Sequence, residues 1–390
     1  MSVARADQRL SRKYFFDDTD MDLFFMSAMS LGPTGGLDIG QAFHVASTIK
    51  DGDPDSWVKS FHDYAMVLDG QASEWKARGW HRQAGEARLK SFASFRAAWQ
   101  FAKPGAEFAD LVAKQRAQFP KAMQELGIDA RFFNAPYAGK SLPGAFFQNA
   151  SADAPVVLVI GGADTSFEDL FLSVGRGLLE RGFSVAVADL PGQGLQQAQG
   201  MYWEAEAEKP IGAVIDLLVE RFGARPGRIA LMGLSLGGYF VTRAAGYEQR
   251  LGGVIATTPF PRPNELFAAS VQSDLANAGK QTAAAQRARQ VMVWKMGATS
   301  VQDFHDRGAR MQADPSLVTV PFLSIIGTGD SPIFVKQARE WHAAIPSQEK
   351  CCVELDAATG ADGHCQVQNR LRLVQEVSGW LDGLWRTGAA

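Results

Sequence analysis

The sequence predicts an α/β fold, a mostly parallel and doubly wound sheet, carrying an all-helical domain at its N-terminal end. Three observations predict it. Residues 1 to about 128 place apolar side chains at three- and four-residue spacing with no strand pattern between them. After Gly127 the period changes, and short unbroken runs of Val, Ile and Leu alternate with helical patterns, as strands buried on both faces do. Lastly, "RIALMGLSLGGYF" (228–240) reads as one such strand turning directly into a helix, with Ser235 at the corner.

Taken in order, "DMDLFFMSAMSL", "LDIGQAFHVASTIKDG", "DPDSWVKSFHDYAMVLDGQASEWKARG" and "HRQAGEARLKSFASFRAAWQFAK" are amphipathic helices. Asp53 and Asp55 are candidate N-caps, and Pro104 with Gly105 breaks the helical pattern. "ARFFNAPYAG" and "KSLPGAFFQN" suggest an antiparallel pair. Then "PVVLVIGG", "FSVAVADL", "RIALMGLS", "LGGVIATTPF", "VPFLSIIGTGD" and "KCCVELDA" are strands, each followed by a helical pattern. The division expected is a helical domain over 1–128, contributing to a cap, and a catalytic domain over 129–390 with a helical insertion at about 264–312. Ligands of such sheets bind beyond the carboxyl ends of the strands.

Composition narrows the function classes. The 390 residues are 46% hydrophobic and 21% charged, with a formal net charge of −3. That balance gives no electrostatic case for nucleic acid or an anionic membrane as partner. No apolar run reaches the length of a membrane span, and the charged start "MSVARADQRLSRKYFFDD" lacks the apolar core of a signal peptide. Three cysteines, two of them adjacent, make no disulfide framework, so a reduced cytoplasm is expected. Without CxxC or HExxH no metal is expected, nor is any cofactor. The 25 Phe and 9 Trp favour an apolar pocket and a small-molecule substrate.

A serine hydroxyl needs a base to become a nucleophile, and the base needs an orienting acid. Of six histidines, His44, His62, His81, His305 and His342 fall in helical segments. His364 instead sits in "ATGADGHCQVQN", a Gly-rich loop straight after a strand, where a mobile imidazole can reach a nucleophile. Asp330, ending "FLSIIGTGD", follows the serine and precedes the histidine at another strand end. Asp362 is its rival but lies only two residues before His364, and so close a neighbour tends to point away from the ring. The chain order Ser235, Asp330, His364 is that of α/β-hydrolases. Two backbone N–H groups should form the oxyanion hole: that of Leu236, after the nucleophile, and that of Ala163, in the loop where Gly161 and Gly162 allow close approach.

"GGADTSFEDLF", "VADLPGQG", "RIALMGLSLGGYF" and "GADGHCQVQN", preceded by "GGLDIGQAF" and "IKDGDPDSW", resemble one branch of the α/β-hydrolase superfamily. It is the branch with an N-terminal helical domain that includes 2,6-dihydroxypseudooxynicotine hydrolase and fungal polyketide-shortening hydrolases. The resemblance runs from about residue 20 to 385. It implies a Ser–His–Asp hydrolase capped in part by the N-terminal helices, with the family pattern falling on Ser235, Asp330 and His364. It also implies that C–C bonds next to carbonyls are cleaved as well as esters, and it alone suggests a homodimer.

C–C cleavage expels a carbanion equivalent, which a positioned acid must protonate or stabilise. Glu265, in "TTPFPRPNELF", is the first candidate auxiliary acid, against its alternative as a helix-start capping glutamate. Asp164 in the oxyanion loop is the second. For the pocket, Tyr202 and Trp203 come from "GMYWEAEAEKP", and Phe24, Phe25 and Trp294 from helical segments expected to cover the site. Cys365 is read as a packing residue. The function expected is hydrolysis of an ester, or of a C–C bond next to a carbonyl, in an aromatic or polyketide-like substrate through an acyl-enzyme. The alternatives are an acyltransferase or cyclase using the same triad, and a non-catalytic binding protein on a hydrolase scaffold.

Overall fold

The computed structural model describes residues 8–151, 153–276 and 281–386. Five helices come first: α1 (Thr19–Ser30), α2 (Ile39–Ala46), α3 (Pro54–Ala77), α4 (His81–Trp99) and α5 (Ala106–Leu126). Their starts follow from capping chemistry. Asp18 accepts the N–H groups of Asp20 and Met21 at 3.0 and 2.9 Å and opens α1. Asp53 opens α3, with Pro54 at the first helical position, where its missing N–H costs nothing. Asp55, the other candidate cap, lies inside the first turn of α3 instead. The helices close over an aromatic core that includes Phe25, Trp57, Phe61, Trp99, Phe101 and Phe108.

Eight strands follow: β1 (Arg131–Tyr137), β2 (Lys140–Phe147), β3 (Val156–Ile160), β4 (Ser184–Ala188), β5 (Ile229–Leu234), β6 (Leu251–Thr257), β7 (Phe322–Gly327) and β8 (Lys350–Leu355). They form one sheet in the order β1-β2-β4-β3-β5-β6-β7-β8. The pairs β1–β2 and β2–β4 are antiparallel, and every later pair is parallel. The β1–β2 hairpin turns on Ala138 and Gly139, both at positive φ (48° and 74°), the backbone a tight two-residue turn between twisted strands requires.

Helices cover both faces. α6 (Phe167–Leu170) and α7 (Arg176–Leu179) flank a π-helical turn after β3. The remaining helices are α8 (Glu208–Phe222), α9 (Gly237–Ala244), α10 (Pro263–Ala276), α11 (Ala283–Lys295), α12 (Val301–Gly308), α13 (Pro332–Ala344) and α14 (Arg370–Arg386). The pleat sorts β3 between two cores. Leu158 and Ile160 join α8, α9 and α13 on one face, while Val157 and Val159 join α14 on the other. That second core also takes Phe92 of α4 and Phe119 of α5, so the N-terminal helices pack against the sheet itself. Each fully buried Val, Ile or Leu contributes about 1.5–3 kcal/mol, so a sheet buried on both faces is a rigid mount for the residues at its strand ends.

The insertion α10–α12 is tied back to the N-terminal helices. Thr282 accepts the N–H of Ala285 at 3.0 Å, capping α11, and its own hydroxyl donates to Asp18. Arg287 donates to the Phe101 carbonyl at 3.0 Å. Among the described residues no helix is long and apolar enough to cross a membrane.

Candidate active site

The end of β5 places Ser235. Its φ of 59° is in the left-handed region, unusual for a residue with a side chain. The strand-to-helix corner requires it, and two flanking glycines make that corner possible. A Cβ on Gly233 would strike the Gly237 carbonyl, and one on Gly237 would lie 2.6 Å from the Ile160 carbonyl. The serine N–H is held by the Thr257 carbonyl at 3.0 Å, which fixes the corner to β6.

His364 stands in the loop after β8. Its Nε2 is 2.8 Å from Ser235 Oγ, and its Nδ1 is 2.7 Å from Asp330 Oδ2. With Asp330 ionised, Nδ1–H donates to the carboxylate and Nε2 is left to accept the serine proton. Asp330, beyond β7, is fully buried, and its Oδ1 accepts the Ser331 N–H at 2.7 Å. Burial alone would pull the His364 imidazole below its ordinary pKa, but the Asp330 carboxylate outweighs it and holds the ring above. Asp362 faces elsewhere: its carboxylate accepts from Gln368 at 3.3 Å. The His364 N–H donates to the Arg9 carbonyl at 2.9 Å, and the ring packs against Phe334 at 4.8 Å between centroids. Cys365 is buried, and its thiol donates to the Thr257 carbonyl at 3.2 Å.

The loop after β3 brings Ala163 to the same place. The N–H groups of Ala163 and Leu236 have no acceptor among the described residues, and both residues line the cavity that holds Ser235. Four side chains that the sequence reading missed hold this loop by its carbonyls. Gln193 Nε2 donates to Gly161 and Gly162 at 2.6 and 3.0 Å, and Lys295 Nζ donates to Ala163. Arg96 and Gln100 donate to Asp164 at 2.9 and 3.1 Å. In a trans peptide the C=O and N–H point opposite ways, so holding the Gly162 carbonyl aims the Ala163 N–H away from Gln193. "PGQG" contained the first of these residues, but nothing in the spacing ties Gln193, Lys295, Arg96 and Gln100 to one loop. Lys295 is fully buried between the rings of Trp99 and Phe108, each 5.2 Å from Nζ, and burial pulls its amine below the ordinary value.

The cavity has a volume of about 630 Å³ and lies between the N-terminal helices and α10–α12. Its apolar lining includes Phe24, Phe260, Phe267, Met292, Phe304 and Phe334. Its polar lining includes Arg9, Asp20, Asp51, Gln100, Asp164 and Arg289. Asp164 lies 3.6 Å from Lys295 Nζ.

Several expected pocket residues are elsewhere. Glu265 does not line the cavity; it pairs with Arg262 and accepts from Gln337 at 3.1 Å, at the start of α10. Its neighbours Leu266 and Phe267 take the cavity-facing positions, since successive helical residues diverge by about 100°. The same rotation sends Phe24 to the cavity and Phe25, fully buried, into the helical core against Phe16 and Phe43. Trp294 stacks edge-on against Phe108 at 5.2 Å, while Met292 and Val293 face the cavity. Trp203 is buried in the sheet core, and Tyr202 lays its ring over Gly297. Of the five aromatics expected to line the pocket, Phe24 alone does so.

Residues 150–291 match the family model described as serine aminopeptidase, S33. Among curated proteins, the hydrolase LUC6 of a Fusarium species is 31% identical over 59% of this chain and 58% of its own length. The 20-hydroxy-prefusarin hydrolase FUS2 of Gibberella moniliformis is 30% identical over 57% of this chain and 56% of its own length. The matches thus span less than two thirds of these relatives. Among solved structures, 2,6-dihydroxy-pseudo-oxynicotine hydrolase is 20% identical with a TM-score of 0.73, covering 92% of this chain and 96% of that one. Wild-type AbyA5 is 16% identical with a TM-score of 0.65, covering 95% and 99%. These likenesses take in the helical N-terminal region as well as the sheet.

Proposed function

We propose that this chain, which has the α/β-hydrolase fold, is a serine hydrolase attacking the acyl carbon of an ester or of a ketone flanked by a cleavable C–C bond. One observation carries the reading: the unbroken relay Ser235 Oγ, His364 Nε2, His364 Nδ1, Asp330 Oδ2 at the wall of a 630 Å³ cavity, with links of 2.8 and 2.7 Å. His364 takes the hydroxyl proton as Oγ attacks, and Asp330 stabilises the resulting imidazolium. The N–H groups of Ala163 and Leu236 receive the charge that develops on the carbonyl oxygen. The departing group takes the proton from Nε2, and water, deprotonated by the same nitrogen, releases the acyl group from Ser235. The phenylalanine lining favours an aromatic or polyketide-like small molecule.

The test compares an aryl ester and the matching aryl 1,3-diketone, with products read by mass spectrometry. Ser235→Ala is expected to lower turnover by about 10⁴–10⁶-fold with an unchanged melting temperature. Near-wild-type turnover in that variant sinks the assignment.

A further inference from the structure

Neither auxiliary carboxylate expected from the sequence is placed as an acid for a carbon leaving group. Glu265 is outside the cavity, and Asp164 lies beside the Lys295 ammonium. His364 already supplies a proton, so what C–C cleavage lacks is a group to hold the charge while the bond breaks. The polar lining of the cavity contains a group of the right kind, the guanidinium of Arg9.

Three facts set Arg9 apart from an ordinary surface arginine. Its backbone carbonyl accepts the N–H of His364 at 2.9 Å, so the segment carrying it is bonded to the triad loop. The next residue, Leu10, is buried against Leu23 and Met26 of α1 and Val367 of the triad loop, which anchors the segment between the two. Its guanidinium is held by Asp20 Oδ1 at 2.8 Å, yet 26% of the side chain stays open and it lines the same cavity as Ser235. A guanidinium has five N–H donors in a fixed fork, and the bond to Asp20 uses one of them. Burial pulls its pKa down, but Asp20, Asp164 and Asp330 outweigh that, so the charge is permanent.

Arg9 faces Asp20, and Lys295 faces Asp164, so each cation has a carboxylate partner. Asp17, Asp18 and Asp51 line the cavity as well, so it holds no surplus of positive charge for an anionic substrate in its ground state. Negative charge that appears there during reaction meets donors already in place, which is the condition under which a donor assists the transition state more than the ground state.

We propose that Arg9 forms a subsite for the oxygen that becomes an enolate on the departing half of a β-dicarbonyl substrate; this rests on the serine-hydrolase reading above. Ser235 Oγ bonds to the acyl carbon and His364 Nε2 takes the hydroxyl proton. The tetrahedral adduct collapses by breaking the C–C bond, whose electron pair moves into the neighbouring carbonyl and makes an enolate oxygen hydrogen-bonded to Arg9. The proton on His364 Nε2 goes to the enolate carbon, and a neutral ketone leaves. Water then converts the acyl-enzyme to a carboxylic acid, so the sum is diketone plus water giving ketone plus acid. An ester expels an alkoxide and makes far less use of the subsite.

The experiment uses the full chain and a series of aryl 1,3-diketones whose departing ketones differ in acidity, with the matching aryl ester. Wild type, Ser235→Ala, Arg9→Met, Arg9→Lys and Asp20→Asn are compared. Arg9→Met is expected to lower diketone turnover about 100-fold and ester turnover less than about tenfold, the range for loss of one transition-state donor. It is also expected to steepen the dependence of rate on leaving-group acidity, which a structural salt bridge does not influence. Arg9→Lys recovers part of the loss. Asp20→Asn, which keeps the guanidinium but loosens its hold, is expected to lower the ratio of diketone to ester turnover severalfold, and an unchanged ratio counts against the subsite where Arg9→Met fails to fold. Serine-dependent diketone cleavage with equal losses on both substrates in the Arg9 variants overturns the subsite and leaves the hydrolase reading standing. Ester cleavage alone in wild type overturns the subsite together with the C–C reading, and no serine-dependent cleavage of either substrate overturns the hydrolase reading itself.

Discussion

In the proposed mechanism His364 must be neutral to accept the serine proton, and the buried Asp330 carboxylate favours its charged form. Activity therefore rises with pH through a midpoint above the ordinary imidazole value of about 6.5. Asp330→Asn removes the cause: the midpoint is expected to move down, and kcat to fall about 10³–10⁴-fold because the ring loses its orienting partner. A pH profile of kcat/KM for the two proteins checks this, and an unmoved midpoint contradicts the electrostatic account. The same shift has a sign for stability. A raised folded-state pKa stabilises fully below the unfolded value and is lost as pH rises through the folded one, so the variant's stability deficit narrows at alkaline pH. The residues of this relay were legible in the sequence because each follows the carboxyl end of a strand, where ligands of such sheets bind. The direction of Glu265 is not legible in the same way: nothing in "PNELF" says which way a helical side chain turns, and Arg262 and Gln337 hold this one outside the cavity.

At the scale of elements, the loop after β3 is held by side chains from four separate segments. Arg96 and Gln100 come from α4 and the residue after it, Gln193 from the loop after β4, and Lys295 from the last turn of α11. A helix far along the chain thus helps to fix the loop that carries the Ala163 N–H, while Gln193 sets the aim of that N–H itself. Lys295→Met removes the bond to the Ala163 carbonyl while filling similar volume. Turnover is expected to fall about 10–100-fold, part of the range for losing an oxyanion donor outright, with KM little changed because the apolar lining is intact. Steady-state kinetics on the aryl ester checks it; a rise in KM at constant kcat would assign Lys295 to substrate binding instead. Sequence periodicity located α11 as part of a helical insertion, but a single lysine closing "QVMVWK" carries no sign that its charged end becomes fully buried.

The molecule as a whole is a rigid sheet with helices from two distant parts of the chain closing over one end. α1 and α11 meet through Thr282 and Asp18, and the cavity lies in the angle between these parts. Its size is therefore a property of their docking, and a bulky residue on α11 facing the cavity should act on large substrates alone. Ala288 lines the cavity. Ala288→Trp is expected to lower kcat/KM for a long aromatic acyl ester more than tenfold, about 1.4 kcal/mol, and to spare the corresponding acetate. Equal effects on both substrates would place Ala288 away from the bound acyl chain. What the sequence determined by itself was the order of helices and strands, and the Ser–Asp–His placement at strand ends, because local periodicity and chain order encode both. Which aromatics face the substrate, which carbonyls are clamped and where Arg9 stands were decided by the tertiary structure alone. Those depend on the rotation of each helix about its axis and on contacts between residues hundreds of positions apart, such as Thr282 with Asp18 and His364 with Arg9.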